Sequence, residues 1–144
     1  DRRQRQMCIR DREWLSITID SFLNKYSNPL SIADDEALKN VANYIDDHYA
    51  TSISQDTLEK ISTMSGTKLK KLFKQKYQCT ITEYTQRRRM NMAELLLLNS
   101  TLKIQDIAEA VGYSSHSKFS TCFKKYKGFY PKDIKKYAKN NLSD

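Results

Sequence analysis

The feature that most narrows what this chain can fold into is that it repeats itself. Sliding the sequence by fifty residues lays Ser65, Leu69 and Phe73 on Ser115, Phe119 and Phe123, sets Thr80 on Tyr130, and brings Gln55 and Asp56 onto Gln105 and Asp106. A serine followed by apolar residues four and eight positions on is a capped helix start with one buried seam, because a helix returns to the same face about every 3.6 residues. One copy is common among helical proteins. Two in register, each behind a shorter helical stretch, indicate a pair of helix-turn-helix units. The rest of the composition agrees with an all-α fold: three Gly and two Pro in 144 residues leave few of the breaks that hairpins need.

The pattern along the chain sets the layout. Residues 1–12 are charged and show no period, as in a linker or a frayed helix end. Leu15, Ile19, Phe22, Leu23 and Tyr26 then share one helical face until Asn28-Pro29 ends it. That face needs a partner, and three meet the need: the same domain, a second copy in a homodimer, or an upstream effector-binding domain. The chain opens on Asp1 rather than Met, from which an upstream domain is expected. Asp34 or Asp35 is expected to cap a scaffold helix carrying Leu38, Val41, Ala42, Ile45 and Tyr49, and Ser54 a short one carrying Leu58 and Ile61. Ser65-Gly66 turns into a lysine-rich helix whose Leu69, Leu72 and Phe73 face inward. Thr80-x-x-Glu83 has the form of a capping box. It opens a linker helix to about Asn99 with Ile81, Tyr84, Ala93, Leu96 and Leu97 inward, a rod of roughly 27 Å at 1.5 Å per residue. The expected division is therefore 1–36, a charged linker plus amphipathic helix, and 37–142, with units at about 37–80 and 100–140 joined by 81–99.

Charge narrows the partner. The net charge of +8 favours a polyanion, and its distribution makes faces rather than a uniform skin. Lys68, Lys70, Lys71, Lys74, Lys76 and Arg87 to Arg89 form one block, and Lys118, Lys124, Lys125, Lys127, Lys132, Lys135, Lys136 and Lys139 another. Residues 31–64 are predominantly acidic. One of three consecutive helical arginines must point inward, so this run divides between pinning the linker helix and meeting phosphate. Three cysteines (Cys8, Cys79, Cys122) without CxxC spacing indicate neither a disulfide framework nor zinc, and a reducing cytoplasm is expected. His48 and His116 lack paired ligands, so no metal or cofactor is expected. His48 fits a helix-end cation or a packed ring, and Cys122 a small packing residue. No apolar run approaches a bilayer's thickness, and no phosphate loop, nucleophile elbow or carboxylate pair marks an enzyme.

Duplex DNA accounts for what remains. A recognition helix presents short polar or cationic side chains early in the helix to the major groove, with an apolar seam behind. Thr67, Lys68, Lys70 and Lys71 supply these in the first unit; His116, Ser117, Lys118, Ser120 and Thr121 in the second. Ser65 and Ser115, at helix N-termini, are placed to hold phosphate oxygens, together with Lys74, Lys124 and Lys125.

The stretch from Ile104 to Tyr137 resembles the AraC/XylS family of bacterial transcription regulators. It carries I-x-x-I-A-x-x-x-G-[FY] in Ile104, Ile107, Ala108, Gly112 and Tyr113, and F-x-x-x-F-K-x-x-x-G-x-x-P in Phe119, Phe123, Lys124, Gly128 and Pro131. Leu58 to Tyr77 looks like the same family's first unit, and Arg89-Met90-x-x-Ala93 is similar to its linker. The resemblance implies base reading by the outward positions of both recognition helices, spacing set by the linker, and activation through RNA polymerase. Glu59, Thr63 and Gln78 stand where the family has a small residue, Gly and Gly, so less regular turns are expected in the first unit. Two other readings compete: an interaction module working through residues 15–26 with only non-specific DNA affinity, and the targeting unit of a DNA-acting enzyme.

Overall fold

The computed structural model describes residues 30–141, and the amphipathic stretch at 15–26 lies outside them. The described residues form seven helices and no strand: α1 (Ile32–His48), α2 (Gln55–Ser62), α3 (Gly66–Tyr77), α4 (Ile81–Asn99), α5 (Ile104–Ala110), α6 (His116–Lys127) and α7 (Pro131–Asn141).

Two apolar cores are strung on α4. The first gathers Leu38, Val41 and Ile45 of α1, Leu58 of α2, and Leu69 and Phe73 of α3, with Ile81 and Tyr84 of α4 packed against it. The second gathers Met90, Ala93 and Leu97 of α4, Ile107 and Ala108 of α5, Val111, and Phe119 and Phe123 of α6. The linker helix thus gives its opening turn to one core and the rest of its length to the other. Aromatic rings lock both: Phe73 meets Tyr84 edge-on at 5.5 Å, and Phe119 lies 5.9 Å from Phe123.

The helix starts follow local chemistry. Ser54, Ser65 and Ser115 cap α2, α3 and α6 as expected, and Thr80 with Glu83 completes the capping box of α4. The start of α1 corrects the sequence reading. Its cap is Ser31, whose Oγ accepts from the Asp34 amide at 3.1 Å. Asp34 and Asp35 lie inside the first turn, where carboxylates answer the positive end of the helix dipole. The first unit consequently begins ahead of residue 37, and even Leu30 packs on its core.

The repeat also proves subtler than one constant shift. The caps Ser65 and Ser115 are fifty apart, but Ser54 and Lys103, which open α2 and α5, are forty-nine apart. By that register Gln55 pairs with Ile104, not with Gln105. The difference arises in the turn: one residue separates Thr63 from Ser65, whereas two separate Gly112 from Ser115. The first unit's turns are nevertheless regular. Thr63 (φ 55°) and Gln78 (φ 59°) adopt the left-handed conformation that Gly112 and Gly128 adopt in the second. The Gln78 amide donates to the Lys74 carbonyl at 2.9 Å, as the Gly128 amide does to Lys124. Side chains support the strained backbone, Thr63 Oγ1 donating to the Ser62 carbonyl at 2.7 Å and Gln78 Nε2 to that of Gln75 at 2.8 Å. Between α2 and α3 the packing is close: a Cβ on Gly66 would stand 2.4 Å from Glu59 Oε1. The Gln55 side chain shares that position, so a larger residue at 66 would require these two flexible side-chain ends to swing aside.

Candidate nucleic-acid interface

The two units are held in one relation by Arg89. Its Nε donates to the Tyr49 carbonyl at 2.6 Å, Nη2 to Thr51 at 3.1 Å, and Nη1 to Gly112 at 3.4 Å. Tyr49 and Thr51 follow α1 in the first unit, and Gly112 lies in the turn of the second. Of the arginine run, this is the inward member. Arg88 pairs with Asp46 at 3.4 Å, and Arg87 is exposed. Across the seam between α4 and α6, Tyr126 donates to Gln86 Oε1 at 2.8 Å and Lys127 reaches Asn91 Oδ1 and Glu94 Oε2 at 2.6 Å each.

On this frame α3 and α6 each bury a seam and expose polar side chains. Phe73, Phe119 and Phe123 are fully buried. Thr67, Lys68, Lys70, Lys71 and Lys74 are exposed on α3, and His116, Ser117, Lys118, Thr121, Lys124 and Lys125 on α6, with Ser120 half-buried. The caps repeat in detail: Ser65 Oγ accepts from the Lys68 amide and Ser115 Oγ from the Lys118 amide, both at 3.3 Å.

Several of these groups are already engaged. The Lys68 ammonium is 3.2 Å from Asp34 Oδ1, and Lys76 is 2.7 Å from Asp35, which also holds Lys39 at 3.0 Å. Hydrogen bonds from Ser31 and Lys68 hold the Asp34 carboxyl below the usual carboxylate range, and those from Lys76 and Lys39 do the same for Asp35. Lys68, expected among the base contacts, is thus tied back to α1. The reason is the acidic first turn of α1, which lies against the basic helix. Lys124 donates to the Gly128 carbonyl at 2.9 Å and sits 5.1 Å from the Tyr130 ring centre; Lys125 lies 5.3 Å from the Tyr126 ring. Thr121 Oγ1 donates to the Ser117 carbonyl at 2.9 Å.

The remaining candidates are structural. His48 stacks on Tyr44 with ring centres 4.1 Å apart, and its Nδ1 meets the Tyr44 carbonyl at 2.9 Å. Cys122 accepts from the Tyr113 hydroxyl at 3.2 Å, and Cys79 is buried, which pushes its thiol pKa up. No group of three His, Cys, Asp or Glu among the described residues could hold a metal, and no helix among them is long and apolar enough to cross a membrane. Sequence reading missed the pairing of Asp34 and Asp35 with lysines of α3. The acidic character of residues 31–64 beside a basic block was its visible trace.

A family pattern described as a helix-turn-helix domain matches residues 58–137. The C-terminal domain of AraT, a response regulator from Geobacillus stearothermophilus, superimposes with a TM-score of 0.67 at 28% identity, covering 76% of this chain and 88% of that one. The chain belongs to the AraC family. Among other AraC-type proteins, the HTH-type transcriptional activator RhaS of Escherichia coli is 32% identical over 92 residues, 64% of this chain and 33% of its own. The Msm operon regulatory protein of Streptococcus mutans is 33% identical over 101 residues, 70% of this chain and 36% of its own. The chain thus matches about a third of the length of these curated relatives. The AraC-type fold extends to the DNA-binding domain of AdpA, solved with a target DNA, at TM-score 0.67 and 18% identity over 72% of this chain and 94% of that one.

Proposed function

We propose that this AraC-type domain binds duplex DNA sequence-specifically, with α3 and α6 entering successive major-groove segments on one face. The observation that carries this reading is the pair of capped helices with polar, largely cationic outer faces, joined by Arg89 into one frame. The contact surface comprises Thr67, Lys70, Lys71 and Lys74 of α3, His116 to Lys118, Ser120, Thr121, Lys124 and Lys125 of α6, and the capped starts at Ser65 and Ser115. Successive groove segments are about 34 Å apart, whereas the 19 residues of α4 span about 28 Å. If the frame stays straight, the duplex should bend toward the protein or one unit should bind poorly.

Acting in the cytoplasm, such a domain regulates transcription. RhaS is described as a transcriptional activator, which supports activation here as well; RNA polymerase is the partner that the family resemblance implies for it. An upstream effector-binding domain or a homodimer through residues 15–26 would supply control.

Selection from a random duplex library at about 0.15 M salt, where weak charge attraction is largely screened, tests the reading. Two short enriched blocks about one helical turn apart are expected. No enrichment would refute sequence-specific binding by this chain alone and leave the interaction-module reading, or a further domain that must license DNA binding.

A further inference from the structure

The two units share a backbone design but offer the duplex different chemistry. Helix α3 carries five lysines, of which Lys68 and Lys76 are neutralised by Asp34 and Asp35. Among the described residues no carboxylate lies within ion-pair distance of the other three, Lys70, Lys71 and Lys74. Those three line a single open concavity of about 500 Å³ together with Thr80, Ile81 and Thr82, where α4 begins. The adjacent acid, Glu83, is engaged at the helix start, its Oε2 accepting from the Thr80 amide at 2.9 Å rather than pairing with a lysine. That backbone bond is the main cause of its lowered pKa, and the charge of Lys74 adds to it.

Shifting by fifty residues finds the counterpart on α6. Ser120, Thr121 and Lys124 stand where Lys70, Lys71 and Lys74 do, and Tyr130, Pro131 and Lys132 where Thr80 to Thr82 do. An aromatic ring takes the place of the threonine wall: Lys124 and Lys132 lie 5.1 and 5.9 Å from the Tyr130 ring centre. Short hydroxyls take the place of two of the free ammonium groups.

We infer that the two units divide the work unequally: a phosphodiester of the duplex seats in the Lys70–Lys71–Lys74 concavity beside Thr80 and Thr82, so that the lysines of the first unit grip the backbone and leave base reading there to Thr67, while Ser120, Thr121 and His116 meet base edges in the second. This rests on the duplex-binding reading above, and it moves Lys70 and Lys71 from base edges to the backbone. The physical reason is the difference between the two side-chain types. An ammonium on a four-carbon stem is a mobile point charge; three whose residues line one concavity can swing onto a diffuse anion of any sequence. A hydroxyl must sit within about 3 Å of its partner and so discriminates. Thr121 has committed its proton to the Ser117 carbonyl, which leaves an acceptor. The groove-edge donors it can meet are the amino groups of adenine and cytosine.

The test compares two duplexes, one selected from a random library and one of unrelated mixed sequence, and reads the ratio of their affinities together with the salt dependence. Lys70→Gln, Lys71→Gln and Lys74→Gln should each weaken both duplexes by the same factor. The ratio should stay put and the salt slope should fall by about one per lysine. Lys71→Arg should restore both readings. Ser120→Ala or Thr121→Val should instead reduce the ratio by about fivefold or more, with relaxed preference at one base pair. A lysine variant that relaxes preference at a base pair, or hydroxyl variants that leave the ratio untouched, would overturn the division of labour. A wild-type protein that binds both duplexes equally would refute the duplex-reading function itself, a different result from either.

Discussion

Arg89 Nε donates to the Tyr49 carbonyl at 2.6 Å, so a residue of the linker helix closes a loop of the first unit while its other nitrogens reach Thr51 and, in the second unit, Gly112. A charged donor shared among three carbonyls is expected to contribute about 2 kcal/mol to stability. Arg89→Ala should lower the unfolding free energy by that amount in urea titration. Arg89→Lys should recover less than half of it, since one ammonium cannot reproduce the planar fork. A loss below about 0.5 kcal/mol would show that water replaces the guanidinium freely.

Gly112 lies under that guanidinium at φ 95°, and a Cβ there would stand 2.6 Å from the Ala50 carbonyl oxygen. At Gly128 (φ 84°) a Cβ would meet nothing within 4 Å. Both replacements by alanine bear the left-handed penalty of about 1–2 kcal/mol, and only the first also forces two units apart. Thermal unfolding should therefore rank Gly112→Ala well below Gly128→Ala; equal midpoints would contradict the contact.

Thr63 is a β-branched residue at φ 55°. Thr63→Gly relieves that strain, loses the short hydroxyl bond to Ser62, and gains chain entropy in the unfolded state. The backbone effect is the largest of these, so stability should rise by about 0.5–1 kcal/mol. A fall in denaturant midpoint would mean that the side-chain bond outweighs the strain.

The Tyr84 hydroxyl lies 3.2 Å from Asp46 Oδ2, and burial, followed by the Asp46 carboxylate, pushes its pKa up to about 12. A folded-state pKa above the unfolded one stabilises fully below the unfolded value, near 10, and the gain disappears as pH rises through 12. Between those limits wild-type stability should fall more steeply than that of Tyr84→Phe. For Asp35 the sign reverses: its folded pKa is depressed by Lys76 and Lys39, so its contribution is present above the unfolded value of 3.8 and is lost as pH drops below it. Asp35→Asn should flatten the acid limb. Parallel acid limbs would remove the pairing from the account.

Much of this was legible in the residues because it depends on local rules. Ser65, Ser115 and the Thr80–Glu83 pair announce helix starts wherever they stand, and the spacing of Leu69 and Phe73 declares a buried seam. What depended on tertiary neighbours was hidden. Asp34 reads as a cap because caps are its commonest use, yet Ser31 takes that place and Asp34 turns to Lys68, 34 positions along the chain. Thr63 and Gln78 look wrong for left-handed turns until their side-chain bonds are seen. The lysines of α3 look alike in sequence, and only the fold separates the two that are paired from the three that share a concavity.

Helix α4 is walled into one core at its start and another along the rest of its length. It is property held in common. A unit moved alone into another protein would take only its own part of this helix with it and leave the other part behind, each with a bare apolar strip where its companion stood. Gene shuffling that respects solubility would therefore trade these units in pairs, and a lone descendant would have to rebuild an outer face for its severed rod before it could stand by itself.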